Sequence, residues 1–452
     1  MSQFKTYWDE ERETLAPEKR NQIILNRIQE QLHYVYNTLP FYKRIYDEHH
    51  FKPEDVKTLE DFTTKVPIIT KKMLVEDQQK NPIYGSYAGD FKEEEIARIQ
   101  GSSGTSGTPT FYQVSQEDWK RAADVHAMAQ WCAGIRPDDV VQISFPFSLF
   151  FGGWGVIQGA ERLGATVFPL GPVESEKQLE LMNQIGSTVF SATPSYCMHL
   201  INKAKELGFN LKENTIKRLL VGGEAGGSLK GPKNLIANGW NASVHDCASA
   251  SEMYPFQTNV ECEAQQGVHV FNDEVYAEIV EKEDANSPVS MGEKGAIVYT
   301  HLWRKSQPMI RFWPGDESYM SEQRCSCGRT YPMLPEGVLG RLDDMIVVRG
   351  ANIYPSAIEN IVRKFSWSGP EYQVIVNKKG VMDEIKVIIE QNHLSIQEKL
   401  DPIGMKTEAE YHFKKQLGIR VQIDIHPQGT LPETIFKAKR VVDRRKEIIA
   451  TK

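Results

Sequence analysis

"IQGSSGTSGTPTFY", Ile99–Tyr112, is the stretch whose reading decides the fold. Between Gly101 and Thr110 nearly every residue is a glycine or carries a hydroxyl, a run that gives a core nothing to pack. Residues 96–100 before it and "TFYQV" after it read as strands. Glycines tolerate positive φ and let backbone N–H groups converge on an anion, and Ser and Thr hydroxyls rotate to meet a phosphate. A slack Gly/Ser linker would have the same composition. Linkers join domains, however, and this loop joins two neighbouring strands. It is not a Walker A loop, because it lacks G-K-[ST] and a strand follows it instead of a helix. The G-x-S-x-G of a nucleophile elbow and the helix-opening G-x-G-x-x-G of a dinucleotide fold are absent too. A phosphate cradle of another class remains.

Working outward, Ser115 with Asp118 three residues on reads as a capping box for a helix over 116–133. Upstream, 16–50 is expected to be helical with a break at Pro40, because Ile24, Ile28, Leu32 and Val35 fall on one face. Thr70 reads as the N-cap of a short helix at "KKMLVED". Downstream, helical segments alternate with "DDVVQIS", "GATVFPL", "STVFSAT" and "IKRLLVGG", the pattern of α/β layers with a largely parallel sheet. From about residue 265, "GVHVF", "VYAEIVE" and "GAIVYTHL" crowd together and predict a β-rich subdomain. After "GRLDDMIVVRGANIYP" come a helix at "AIENIVRKF", strands at "EYQVIVN", "EIKVIIEQ" and "RVQIDIHP", and a helix over 404–416. The expected fold is therefore α/β. A large N-terminal domain, 1–340, has layered sheets, helices and the β-rich subdomain; a small α+β C-terminal domain spans 341–452.

The 452 residues, 40% hydrophobic and 25% charged, suffice for such domains and exclude bulk disorder. The net charge of −7 speaks against a nucleic-acid partner held by a basic surface. The polar "MSQFKTYWDEERETL" has no signal-peptide pattern, and "VVQISFPFSLFFGGWGV" is broken by Pro146 and a glycine pair, so a soluble cytoplasmic protein without a membrane partner is expected. Six cysteines do not make a disulfide scaffold in a chain this long. Cys262, His269, Cys325 and Cys327 form C-x6-H followed by C-x-C, a donor set suited to a closed tetrahedral zinc site, with Cys247 as a substitute ligand. Cys132 and Cys197 read as helix-core cysteines.

The glycine loop fits [ST]-S-G-[ST]-[ST]-G-x-P, and in this it resembles the adenylate-forming superfamily of acyl-CoA synthetases, adenylation domains and luciferases. "GGEAGG" (222–227), "SASE" (249–252), "PMIRFWPGD" (308–316), "GRLDDMIVVRGANIYPSAIE" (340–359) and Lys437 stand in that superfamily's order. "LPFYKRIYDE", "FFGGWGVIQGAERLGATVFP" and "LPETIFKAKRVVD" are similar to segments of phenylacetate–CoA ligases. The resemblance implies a two-step reaction in which a small carboxylic acid and Mg-ATP give an acyl-adenylate and pyrophosphate, and coenzyme A then takes the acyl group.

Residue by residue, the resemblance implies that Ser102, Ser103, Gly104, Thr105, Gly107 and Thr108 cradle the phosphates and Glu252 holds Mg2+. Asp316 and Arg341 would bind the ribose; Gly223, Glu224 and Asp246 would line the adenine pocket. Ala248 and Ser249 stand where the family has an aromatic–glycine pair that stacks on adenine, with Tyr254 as the substitute ring. Lys437 would be the catalytic lysine, preceded here by Phe436 instead of glycine. Asp343 would be the hinge of a mobile C-terminal domain, with Arg349 and Gly350 at the coenzyme A channel. Phe145, Phe150, Gly152 and Val156 would form the acyl pocket, whose rings suit an aromatic acid. A homodimer is implied by the same resemblance. A different acyl acceptor, or a weakened nucleotide-binding relative, would leave most of these motifs in place.

Overall fold

The structure, a computed structural model, describes residues 4–102, 109–149, 151–250, 252–342, 344, 346–348, 351–353, 355–379, 382–433 and 440–445. Five strands lie parallel in the order 166–168, 140–143, 189–192, 218–222 and 243–248. Helices Gly152–Leu163, Ser175–Ile185, Pro194–Glu206 and Lys230–Trp240 connect them, as parallel pairing requires. Val189–Ala192, in the middle, is buried throughout, which explains its run of apolar and small residues.

Beyond Ser243–Ala248 the chain reverses. Asn259–Glu261, Val268–Val270 and Met333–Leu334 extend the same sheet in antiparallel pairing. This corrects one expectation: "GVHVF" closes the large sheet and does not open the β-rich subdomain. The short connection at Gly267, φ +134°, returns the chain onto its immediate predecessor, and local pairing wins.

The β-rich subdomain is a second sheet around Gly295–His301, all seven residues of it buried. Val275–Val280, Phe312–Trp313 and Asp316–Ser318 pair with it, and Gly340–Arg341 pairs with Asp316–Ser318. Ile69–Thr70 joins parallel to Phe312–Trp313. The N-terminal helices Pro17–Thr38 and Pro40–Glu48 cover this sheet. Ile24, Ile28, Leu32 and Val35 are buried together with Phe41, Tyr42, Ile297 and Phe312. The glycine loop springs from an antiparallel hairpin, Ile96–Gly101 with Phe111–Ser115. Ser115 caps helix Gln116–Cys132 by accepting from Asp118 N at 3.1 Å. The reciprocal half of the expected capping box is otherwise engaged, because the Asp118 carboxylate accepts from Lys305 N and Ser306 N.

The C-terminal unit carries the long antiparallel pair Ser368–Lys379 and Met382–Gln391, flanked by parallel strands Gln422–His426 and Val441–Asp443. Helices Pro355–Val362 and Pro402–Leu417 supply Ile358, Ile361, Met405 and Phe413 to its core. No helix among the described residues is long and apolar enough to cross a membrane.

Arg311 locks the second sheet to its surroundings. Its side chain is fully buried and donates to Val66 O (2.6 Å), Ala285 O (2.5 Å) and Asn286 Oδ1 (2.8 Å), with Glu278 as its ion partner at 3.3 Å. Removing one member of a buried ion pair leaves the other charged and dry, which costs about 3–5 kcal/mol. Arg311→Met is expected to lose that much stability in urea unfolding; a loss below ~1 kcal/mol would be that of an exposed pair and would contradict this assignment.

Candidate active site

In open α/β sheets ligands bind beyond the carboxyl ends of the parallel strands. Two of those ends carry residues expected in the site, and a third carries Thr193, which sequence reading did not single out. Thr193 follows Val189–Ala192 and caps helix Pro194–Glu206, its Oγ1 accepting from Tyr196 N at 3.2 Å. Gly223 follows Arg218–Gly222 at φ +86°, a backbone region open to glycine. A Cβ placed there would lie 3.8 Å from both Phe145 and Thr193, so the expected acyl and adenine segments meet at this residue. Next to it the Glu224 carboxylate accepts from Ser195 N at 2.6 Å. Burial pushes Glu224 up to about 7, and nearby Glu359 pushes the same way while Arg440 opposes. Asp246, buried in the third strand, accepts from Ser228 Oγ at 2.5 Å; burial outweighs that hydrogen bond and pushes it up to about 6.

The base of the glycine loop holds a cation that sequence reading missed. Ser102 N donates to Thr110 O (3.0 Å) and Thr110 N to Ser102 Oγ (3.2 Å), which closes the hairpin just below the loop. Lys71 Nζ lies against both hydroxyls, 3.1 Å from Ser102 Oγ and 2.6 Å from Thr110 Oγ1. It also donates to Tyr112 OH (3.0 Å) and to Glu252 Oε1 (2.5 Å). Glu252 is buried, and Arg304 Nη1 donates to its carbonyl at 3.4 Å. Lys71 arrives here because Ile69–Thr70 is a strand of the second sheet and Thr70 then caps helix Lys71–Lys80. In sequence, "TKK" at a helix start reads as surface charge; only the pairing of Ile69 with Phe312 aims the first lysine inward.

Asp316 and Arg341 also meet. They are paired residues of adjacent strands, with Arg341 Nη1 3.8 Å from Asp316 Oδ1. Ala248 ends its strand, and Ser249 Oγ donates to Ala250 O at 3.4 Å. Tyr254 does not replace the missing adenine-stacking ring. It is buried between Phe151 and Trp119, 4.4 and 5.9 Å between centroids, and its hydroxyl is bonded to Gln158. Of the expected acyl-pocket residues, Gly152 opens a helix beside free space, whereas the Val156 side chain is buried with Val125, Ala129 and Ile143. Ser103, Gly104, Thr105, Gly107, Thr108, Phe150, Asp343, Arg349, Gly350 and Lys437 lie outside the described residues.

On the far edge of the large sheet the four expected metal-ligating side chains converge. Cys262 Sγ is 3.5 Å from Cys325 Sγ, Cys327 Sγ is 3.4 Å from His269 Nε2, and all four donor atoms lie within 4.8 Å of one another. Tetrahedral bonds of about 2.0–2.3 Å hold their ligands roughly 3.3–3.8 Å apart, so the set is nearly at metal-binding spacing. Cys247 is not a member: it is buried, and its thiol is hydrogen-bonded to Gln257. Cys132 and Cys197 are buried in helices, and burial pushes both thiols well up.

Residues 17–301 match the AMP-binding enzyme family, and 350–445 match the AMP-binding enzyme C-terminal domain. The chain is 31% identical to phenylacetate–coenzyme A ligase of Thermus thermophilus, over 96% of this chain and 99% of that one. A solved 2-hydroxyisobutyryl-CoA ligase in the postadenylation state with 2-HIB-AMP is 36% identical and superposes with a TM-score of 0.93, over 100% of this chain and 95% of the other. The same ligase in the thioesterification state, with 2-HIB-AMP and CoA, superposes over equal shares at 36% identity with a TM-score of 0.74. The fold is that of an adenylate-forming enzyme. Within that class the chain belongs to the phenylacetate–CoA ligase family and is an AMP-forming acid–thiol ligase.

Lys71→Met removes the cation at the loop base. One charge-assisted hydrogen bond from it to a phosphate, worth about 1.5–3 kcal/mol, corresponds to a roughly 10- to 100-fold drop in adenylation at subsaturating ATP. Pyrophosphate release measures it; an unchanged rate would contradict a role for this lysine at the phosphates.

Proposed function

We propose that the protein activates a small carboxylic acid, an arylacetate of the phenylacetate type, with ATP and passes the acyl group to coenzyme A, giving AMP and pyrophosphate. The observation that carries this reading is the Lys71–Glu252 pair at the mouth of the glycine loop. It sets a cation and a buried carboxylate where a nucleotide's phosphates would enter beside the strand ends. Ser102 and the loop residues Ser103, Gly104, Thr105, Gly107 and Thr108 would donate to the phosphates. Glu252 would hold Mg2+, a hard cation that neutralises phosphate charge when bound. Asp316 and Arg341 would take the ribose hydroxyls; Gly223, Glu224, Asp246, Ala248 and Ser249 would line the adenine pocket. A carboxyl poised near neutrality, as Glu224 is, can donate as well as accept there.

The chemical problem is to bring a carboxylate up to a polyanion. The Lys437 ammonium would lie between the substrate carboxylate and the α-phosphate and stabilise the charge of the transition state. Asp343 would be the hinge that later withdraws it, and Arg349 and Gly350 would border the coenzyme A channel. Phe145, beside Gly223, is the ring that faces the acid in this reading. A short branched hydroxy acid is the second reading, favoured by the 36% identity to 2-hydroxyisobutyryl-CoA ligase. The six unpaired cysteines are in keeping with a reducing, cytoplasmic compartment.

A panel of acids that includes phenylacetate and 2-hydroxyisobutyrate, incubated with ATP, Mg2+ and coenzyme A, tests the proposal. Mass spectrometry is expected to detect phenylacetyl-CoA with AMP; release of ADP, or no thioester from any acid, would overturn it. Lys437→Ala should reduce adenylation by orders of magnitude and spare thioester formation from preformed adenylate.

Cys262, His269, Cys325 and Cys327 would hold a structural zinc that ties together three antiparallel strands and takes no part in the chemistry. Protein purified without added zinc is expected to carry about one zinc per chain and to lose thermal stability on chelation. Metal-free protein of unchanged stability would exclude the site.

A further inference from the structure

Helix Pro194–Glu206 does more than border the nucleotide site. Its second turn presents His199, its side chain 11% exposed, with its ring stacked on Tyr196 and its Nε2 2.9 Å from Ser175 Oγ. The other ring nitrogen, Nδ1, lies 3.0 Å from Glu433 Oε1, a residue of the C-terminal unit. A proton on Nδ1 meets the carboxylate, and Nε2 faces the Ser175 hydroxyl. Glu433 stands four residues before Lys437 in the sequence. Just ahead of it, Leu431 N donates to Glu390 Oε1 at 2.6 Å. Three residues after the lysine, Arg440 is fixed in the small sheet: its carbonyl accepts from Val374 N (2.7 Å) and its guanidinium donates to Glu371 (2.7 Å). The short segment that holds Lys437 therefore runs from a residue gripped by the large domain to a residue built into the small one.

We propose that the His199–Glu433 pair is a positioning contact across the two domains. It holds the approach to Lys437 for acyl-adenylate formation and opens before the thioester is made. This goes beyond the proposed function but rests on its assignment of Lys437. The domain arrangement in which the pair forms is the one similar to the relative's postadenylation state, TM-score 0.93, and less similar to its thioesterification state, 0.74. A second cross-domain bond, Gly231 N to Asn360 Oδ1 at 3.0 Å, belongs to the same arrangement. Glu433 is 64% exposed, so the pair is a weak one, as a contact broken in every cycle has to be. Exposed pairs are worth up to about 1 kcal/mol, which sets the expected effect at up to roughly fivefold.

The test separates the half-reactions, using the full-length enzyme and the acid that gives most thioester in the panel. His199→Gln and Glu433→Gln should each slow pyrophosphate release by up to roughly fivefold, and the double variant should be no slower than either single one. Thioester formation from isolated acyl-adenylate should be unchanged or faster. The reversed pair, His199→Glu with Glu433→Lys, should recover most of the lost rate. Additive single effects, equal loss in both half-reactions, or no recovery by the reversed pair would overturn the inference. Those failures alongside an inactive Lys437→Ala enzyme would leave the lysine assignment standing; an active Lys437→Ala enzyme would remove both.

Discussion

One ammonium group organises the mouth of the site. Lys71 touches the residue that starts the glycine loop, the residue that ends it, and the buried Glu252, so both ends of the loop and a segment distant in sequence share a single cation. Without a positive charge there, the buried Glu252 carboxylate would sit unpaired beside the base of the loop, a costly arrangement in a dry site. The N-terminal helices, the small strand Ile69–Thr70 and its pairing with Phe312–Trp313 can be read as the scaffold that delivers this cation.

The rest of the architecture rests on two sheets. The parallel sheet brings Thr193, Gly223 and the chain leading to Glu252 to the carboxyl end of its strands, and the second sheet pairs Asp316 with Arg341. Where the large sheet turns antiparallel, the Cys/His cluster sits beside its last strands, next to the buried Val260, Phe271 and Met333. The helix that begins at Thr193 is tied by Ser195 N to Glu224 and by His199 to Glu433. It thereby connects Glu224, beyond the end of strand Arg218–Gly222, to the C-terminal unit.

Much of this was legible in the sequence where a local period or motif carried it. The amphipathic spacing of Ile24, Ile28, Leu32 and Val35, the strand–loop–strand form of residues 96–115 and the C-x-C at Cys325 each encode their own environment. What stayed hidden depends on partners far along the chain. Lys71 looks like any lysine at a helix start until a parallel strand pairing aims it. Asp118 has the spacing of a capping box, yet the backbone of Lys305 and Ser306 claims its carboxylate. Val268–Val270 has the texture of the β-rich region but pairs with its predecessor. Tyr254 was the natural candidate to replace the aromatic residue missing at Ala248, and its burial against Phe151 and Trp119 removes it.

In the proposed reaction a carboxylic acid attacks ATP at the α-phosphate in a step that does not need the thiol. Exchange of labelled pyrophosphate into ATP measures that step alone. Exchange is expected to require both the acid and Mg2+ and to proceed without coenzyme A. Exchange that is independent of the acid, or that appears only when coenzyme A is present, would contradict the proposed reaction.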